Sequence, residues 1–397
     1  MYNNQNNFNF QKIIQEANSL PPESGLKALV EIMLNKAMFS ERQIFLNSEN
    51  NNKANGYYTR NVNWGTNSFN VEVPRDRSSQ FRSVFLPENY QRCYQGSYQD
   101  LIFALLTNGY SANNLKLVMK NMNLPFSDQE IDQITSDIAS EARAFKQADL
   151  PSEVIAIYID GKQVELKIDN KFKKVVVYVI LGIDKNLTKD IYGWYVFEGP
   201  ETKDKWKEIF HDLINRGLKK VLTIVSDDLA GLTAVIPSLF PKTSHQLCLV
   251  HLFRNLKLNL KKEDANYFIE QIQMIRNTTS NFDEAVDQFT SLCQKFDKYH
   301  SYMSYLLSRK ENYFNFMKFT PKARKYFYTT NAVESFNSML EKTRVRNGGH
   351  FQSEKVIDMN IYLLRGKLKM KKWKYAMPKL KDCAYEILQQ FNMQFMD

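Results

Sequence analysis

The chain has 397 residues, a mass of 46.6 kDa, 43% apolar residues and a mean hydropathy of −0.46. That suffices for two or three domains with real cores and excludes wholesale disorder. The longest strongly apolar run, Val175 to Gly182, falls far short of the roughly 20 residues a bilayer requires, which argues against an integral membrane protein. Lys and Arg number 53 against 43 Asp and Glu, a net charge of +10, and such a balance favours polyanionic partners, nucleic acid first, through counterion release. The start, MYNNQNNFNFQ, has neither the basic nor the apolar segment of a secretory signal. Cys93, Cys248, Cys293 and Cys383 are too scattered for a disulfide framework, so a reducing, cytoplasmic setting is expected.

The first ten residues are Asn-rich and read as loose. Lys27 to Leu46 has apolar residues at helical spacing. Asn47 to Asn67, rich in Asn and Gly, reads as a flexible loop. Phe69, Val71 and Val73 alternate with polar residues, which predicts a short strand ended by Pro74. From Ser97 to Phe145 the pattern is helical: Tyr98 to Leu106, a break at Asn108-Gly109, Ala112 to Met122 capped by Ser111, and Ser127 to Ala142 opened by a capping box with Glu130. Short helix, tight turn and short helix is the outline of a helix-turn-helix, or of an ordinary helical bundle.

At Pro151 the texture changes. Strands are predicted over Val154 to Ile159, Phe172 to Ile183, Ile191 to Phe197, Val221 to Val225 and Ser244 to Leu247. Helices are predicted over Glu201 to Arg216, stopped by Gly217, and over Leu229 to Leu239. Three strands in a meander followed by strands with helical crossovers give a mixed α/β sheet with helices on its faces. Leu249 to about Arg324 shows no strand pattern and reads as three to five helices. Thr330-Asn331 caps another helix, Gly348-Gly349 breaks the chain, and Ser353 recaps a last helix leading into a basic stretch. Between Arg365 and Lys381 that stretch has eight Lys/Arg and no acid, and on charge alone it reads as a solvated helix face or a frayed tail.

Asp160 and Asp227 each follow a predicted strand, where ligands gather in open α/β sheets. Two carboxylates there suit a hard cation, and a third on a rigid helix, Glu334, would complete a site for two ions about 4 Å apart. Local roles compete: Asp160 could sit in a turn with Gly161, Asp227 could cap the next helix, and Glu334 could face the positive end of its own helix. With 43 acids available, spacing alone favours those local roles. Asp169 is a fallback for Asp160 but sits in a turn-like IDNK sequence. His245, Cys248 and His251 are zinc-ligand types, yet no second pair has suitable spacing, so Cys248 reads as a small buried residue. Phe314, Phe316 and Tyr326 lie among lysines, where base stacking is possible and core packing is commoner.

Three separated segments carry a resemblance. Tyr328 to Lys355 (YTTNAVESFNSMLEKTRVRNGGHFQSEK) resembles the Glu-bearing signature of Mutator-like insertion-sequence transposases of the prokaryotic branch. Ser226 to Leu256 (SDDLAGLTAVIPSLFPKTSHQLCLVHLFRNL) resembles the segment with the second Asp, a Gly four residues on (Gly231), and Cys-x-x-His followed by Arg-Asn. Asn55 to Val62 and Val71 to Phe81 resemble the family's N-terminal signature. The matches run in order from about Asn55 to Leu364, with 66 residues between Asp160 and Asp227 and 106 between Asp227 and Glu334.

The resemblance implies a DDE transposase: an α/β, ribonuclease-H-like mixed-sheet catalytic core with an all-helical insertion, plus an N-terminal mainly helical DNA-binding region. The implied domains are 1–96 (Asn-rich loop and short strand), 97–150 (helix-turn-helix-like, DNA-binding), 151–250 (core, first part), 251–327 (helical insertion) and 328–397 (Glu helix and basic C-terminal helices). Asp160, Asp227 and Glu334 would hold two Mg²⁺ or Mn²⁺ ions. The Cys248-x-x-His251 pair would lie near the acids, with His251 contacting substrate phosphate or ordering a ligand, or else serving as a core histidine bonded to backbone. Arg254 and Asn255 would contact phosphate, and His350 would help position DNA or the Glu helix. The implied partners are the element's terminal inverted repeats, target DNA and a second or further copies of the chain, at the nucleoid. One departure stands out: the family usually has Gly after the second Asp, and here it is Asp228, a tolerated neighbour or an added charge that alters metal affinity. Two rivals remain, a catalytically inactive DNA-binding repressor derived from a transposase, and a ribonuclease-H-like nuclease acting on RNA–DNA hybrids.

Overall fold

The computed structural model of the chain describes residues 22–48, 52–64, 67–86, 93–94, 105–106, 112–121, 128–346 and 348–396. Two compact units result, residues 1–140 with 341–350, and residues 141–340 with 351–397. Among the described residues no helix is long and apolar enough to cross a membrane.

In the first unit, helix α1 (Pro22–Ser48) packs on a sheet of β1 (Ala54–Trp64), β2 (Asn67–Asp76) and β3 (Cys93–Tyr94), ordered β2-β1-β3. The flexible loop expected over Asn47 to Asn67 is therefore largely a strand. Its Tyr57, Tyr58, Thr59 and Val62 are strand formers that the surrounding Asn residues obscured, and β1 pairs antiparallel with β2 over Tyr57–Trp64. Pro74 does not end β2, because β2 is an edge strand and proline's missing N–H is tolerated there. Side chains of α1 cover part of that edge: Glu31 accepts from the Asn70 N–H at 2.6 Å and Asn35 from the Glu72 N–H at 2.7 Å. Of the helical region, α2 (Ala112–Asn121) and α3 (Asp128–Gln147) are described, and Lys116 pairs with Asp132 at 2.6 Å. Most of the Tyr98 to Leu106 helix, the Asn108-Gly109 break, and the Ser111 and Ser127 caps lie outside the described residues, as do the first ten.

The second unit is built on a five-stranded sheet ordered β6-β5-β4-β7-β8, from β4 (Glu153–Ile168), β5 (Lys171–Asp184), β6 (Lys189–Glu198), β7 (Lys220–Ser226) and β8 (Ser244–Leu247). The first three form the expected antiparallel meander, and β7 and β8 add in parallel beside β4. Asp169 and Asn170, both at positive φ, make the β4–β5 turn, so Asp169 has the local role its sequence suggested. Helices α4 (Lys203–Asn215) and α5 (Leu232–Leu239) cover one face with Trp206, Phe210 and Ile236. The other face carries the larger core, filled by the helices that follow β8. These are α6 (Leu249–Asn259), α7 (Lys262–Thr278), α8 (Phe282–Gln294), α9 (His300–Leu307), α10 (Lys310–Phe314) and α11 (Pro321–Arg324). Phe314 and Phe316 are fully buried there and Tyr326 packs against the same core, which favours packing over base stacking.

Helix α12 (Asn331–Arg346) is followed by α13 (Glu354–Lys371), α14 (Pro378–Lys381) and α15 (Ala384–Phe395). The basic stretch is thus no frayed tail. Its Arg365 makes a two-pronged pair with Asp190 on β6, at 2.6 and 2.8 Å, and lies 3.9 Å over the Phe145 ring, while Lys369 reaches the same acid at 3.3 Å.

Asp76 ties off the end of β2. Its carboxylate, 2% exposed, accepts from Asn52 at 2.6 Å, Ser78 at 2.9 Å, and the backbone N–H groups of Gln80 and Phe81, both at 3.1 Å. Burial opposes its ionisation, but the four donors overcome that and lower its pKa to about 2. A carboxylate depressed in the folded state stabilises above its unfolded pKa and loses that stabilisation as pH falls through the folded value. The thermal stability lost in Asp76→Asn is therefore expected in full above about pH 4 and should vanish toward pH 2. A wild-type-to-variant difference that stays flat across that range in melting experiments would contradict this role.

Candidate active site

Strand register brings the first two acids together. Ile159 on β4 pairs with Ser226 on β7, the last parallel pair between them. Asp160 and Asp227 each come one residue later, on strands that lie about 4.8 Å apart. Tyr158 and Val225 precede them by two residues and belong to the larger core, so alternation puts both acids on that face. Asp160 is not at a strand end, as the sequence suggested. β4 runs on to Ile168 as one arm of a hairpin with β5, and Gly161 pairs with Tyr178 instead of forming a turn. Glycine leaves room at 161 for the Tyr178 ring, which a Cβ would approach to 2.8 Å and displace. Gly231 likewise has φ +84°, and a Cβ there would be 3.0 Å from the Lys203 backbone N.

Glu334 arrives on α12. The segment before that helix is pinned at three points: Tyr158 Oη donates to the Tyr326 carbonyl at 2.8 Å, the Leu249 N–H to the Tyr328 carbonyl at 3.0 Å, and the Thr330 N–H to Cys248 Sγ at 3.4 Å. Val333, Phe336 and Leu340 bury one side of α12 in the core, and Glu334 is left a quarter exposed.

His251, on the first turn of α6, lies between two of the acids. Its Nε2 is 3.3 Å from Glu334 Oε1 and its Nδ1 3.6 Å from Asp227 Oδ1, and Nδ1 is buried without a hydrogen-bond partner. Burial alone would lower the imidazole pKa, but Cys248, Asp227 and Glu334 together raise it to about 9. His251 thus faces carboxylates, not a backbone carbonyl, and the reading of it as a backbone-bonded core histidine is set aside. Burial would raise the Cys248 thiol, yet His251 and Thr330 bring it below its ordinary value. Burial raises Asp160, the carboxylates of Glu334 and Asp227 raise it further, and Asn337 and His251 oppose them. Asp227 is raised by burial and by Asp228 and Glu201, against His251 and the Asp228 N–H. Asp160 therefore feels both other carboxylates across a half-buried space.

Asn337 is the residue the sequence reading missed. It lies one turn beyond Glu334, is 4% exposed, and donates from Nδ2 to Asp160 Oδ2 at 2.7 Å. Its Oδ1 is buried without a partner. A polar residue among Val333, Phe336 and Leu340, three places after the acid, was the available signal. Arg254 reaches Glu334 at 3.5 Å and is otherwise exposed, as a phosphate contact would be. Asn255 is exposed on α6, and its carbonyl accepts from Asn259. His350 falls in the first unit, with Nδ1 3.1 Å from the Gly348 carbonyl.

Among the described residues no three His, Cys, Asp or Glu side chains are grouped so as to hold a metal ion, and the His251 imidazole stands between two of the acids. The donor set still fits a hard cation: three carboxylates, engaged here by His251 and Asn337, beside an orphaned amide oxygen suited to a water.

A mixed sheet with acids grouped beside the end of a central strand defines a class of α/β proteins with a carboxylate-lined site. Comparison with known proteins makes the assignment. The family model for transposases of the Mutator family matches residues 1–376, so the chain belongs to that family, and it is a DNA transposase, an enzyme that cuts and transfers DNA. The transposase of insertion sequence IS1201 from Lactobacillus helveticus is 26% identical over 309 residues, covering 77% of this chain and 82% of that protein. The transposase of ISRM3 from Rhizobium meliloti is 25% identical over 355 residues, covering 88% and 87%. The Drosophila P element transposase strand transfer complex aligns with 78% of this chain and 84% of its own, at 13% identity and a TM-score of 0.29, too slight a likeness to argue from.

Asn337→Leu removes a donor to the ionised form of Asp160. The Asp160 carboxyl is expected to titrate at higher pH in that variant, read from its side-chain carbon resonance. An unchanged titration would show that the amide does not hold this carboxylate.

Proposed function

We propose that the chain is a DDE transposase with a ribonuclease-H-like core, which binds the terminal inverted repeats of an insertion sequence, cleaves strands at its ends and joins the freed 3′-hydroxyls to target DNA. The observation that carries this reading is the grouping of Asp160, Asp227 and Glu334, from two adjacent strands and a helix more than a hundred residues away, around His251. The strand order, three antiparallel strands followed by two parallel ones, supports the core assignment. The helices between β8 and Glu334 are the insertion, residues 251–327.

Asp160, Asp227 and Glu334 would hold two Mg²⁺ or Mn²⁺ ions. When bound, such ions clamp the attacking and leaving oxygens of an in-line phosphoryl displacement. The chain's own residues do the rest. Asn337 orients Asp160 and keeps one of its oxygens engaged. His251 supplies positive charge between Asp227 and Glu334, and Arg254 presents an exposed guanidinium beside Glu334 for substrate phosphate. Water and then the 3′-hydroxyl serve as nucleophiles, so no protein side chain is joined to DNA. The region of α2 and α3 would grip the terminal repeats, with α3 in the groove. Two ends must meet in one complex, so the working form is a dimer or higher oligomer. Such an enzyme works in the cytoplasm, at the nucleoid.

The test incubates purified protein and Mg²⁺ with DNA carrying the element's ends, and with an RNA–DNA hybrid in parallel. Wild type is expected to cut the ends, and chelation to stop it. Asp160→Asn, Asp227→Asn and Glu334→Gln should each reduce cutting by about a thousandfold or more while leaving end binding intact. Binding without cutting by the wild type would instead establish the repressor, and cutting of the hybrid alone the nuclease.

A further inference from the structure

Asp228, directly after the second acid of the proposed site, has a defined partner set. The Asp228 side chain, 13% exposed, meets Arg309 Nε at 3.0 Å and takes a short hydrogen bond from Tyr305 Oη. The Arg309 guanidinium also lies 4.0 Å over the Tyr305 ring. Tyr305 is on α9 and Arg309 immediately precedes α10, so both belong to the helices inserted after β8. Meanwhile the backbone N–H of Asp228 donates to Asp227 Oδ1 at 2.7 Å.

We infer that Asp228 is a positioning residue, through which the helical insertion sets the orientation of the Asp227 carboxylate. Arg309 and Tyr305 fix the Asp228 side chain; that fixes its peptide plane; the peptide N–H holds Asp227 Oδ1. A carboxylate engaged by a guanidinium and a phenol is turned to them, so the added acid does not join the cation-binding set. The anchor is rigid because the same stretch is stapled to edge strand β8. Asn312 and Asn315 donate to the His245 carbonyl at 3.0 and 2.8 Å. Gln246 donates to the Tyr313 carbonyl at 3.0 Å and accepts from the Phe316 N–H at 2.8 Å. The insertion is thereby part of the machinery that shapes the acidic site. With glycine at 228 the N–H would remain but its tether would be lost.

This inference rests on the transposase reading above, and the experiment separates the two. Asp228→Asn, Arg309→Met, their double variant and Arg309→Lys are compared with wild type. Three readouts are taken: amide exchange at Asp228 to Ala230, affinity for an end-bearing duplex, and single-turnover cleavage with Mg²⁺. Arg309→Met and Asp228→Asn should each speed exchange at those amides and slow cleavage about ten- to a hundredfold, with duplex affinity unchanged. The double variant should be no worse than the worse single, and Arg309→Lys should recover part of the rate. Additive losses in the double variant, or unaltered exchange at Asp228 to Ala230, would overturn the coupling. A wild type that binds but never cuts overturns the catalytic reading instead, and the exchange data then decide the tether alone.

Discussion

Burial of the Asp160 and Asp227 carboxylates beside Glu334 and His251 is the constraint around which the second unit is arranged. Three carboxylates held half-buried within range of one another disfavour the folded state unless something offsets their charge. In the structure a single imidazolium, His251, stands between two of them and an amide, Asn337, holds the third. The surrounding fold supplies the rigidity that keeps the acids in place. β7 is buried on both faces, Tyr158 and Leu249 pin the chain entering α12, and three apolar residues of α12 fix its rotation. A half-buried group of acids of this kind costs stability.

The run of helices between β8 and α12, proposed above as an insertion, gains meaning from the same constraint. It separates Glu334 from the sheet in sequence, then returns it through a segment hydrogen-bonded to β4 and α6. Its outer helices meet β8 through Gln246, Asn312 and Asn315, and they reach the loop after β7 through Arg309 and Tyr305. Insertion and sheet thus share polar contacts next to the acids as well as an apolar core.

Much of this was legible in the sequence. Runs of β-branched and aromatic residues announced β5, β6, β7 and the first half of β4, whereas β8 (Ser244–Leu247) has no such run. The acids proposed for the site were singled out by resemblance to a family signature and not by spacing, since any acid-rich chain offers many triples. What stayed hidden had physical reasons. β1 was masked by Asn residues that suit an exposed strand face as well as a loop. The continuation of β4 beyond Asp160 depends on β5, a partner that residue order alone does not reveal. The ion pairs of Arg365 and Lys369 with Asp190 span about 175 residues, so the basic stretch looked solvated when read alone. Asn337 looked like an ordinary helix residue until its depth was known.

The most direct measurement of the central claim is anomalous diffraction from crystals of the protein soaked in Mn²⁺. Two peaks about 4 Å apart, each bounded by carboxyl oxygens from the set Asp160, Asp227 and Glu334, are the expected result. Manganese bound elsewhere, with those carboxylates still gathered on His251 at saturating ion, would contradict it.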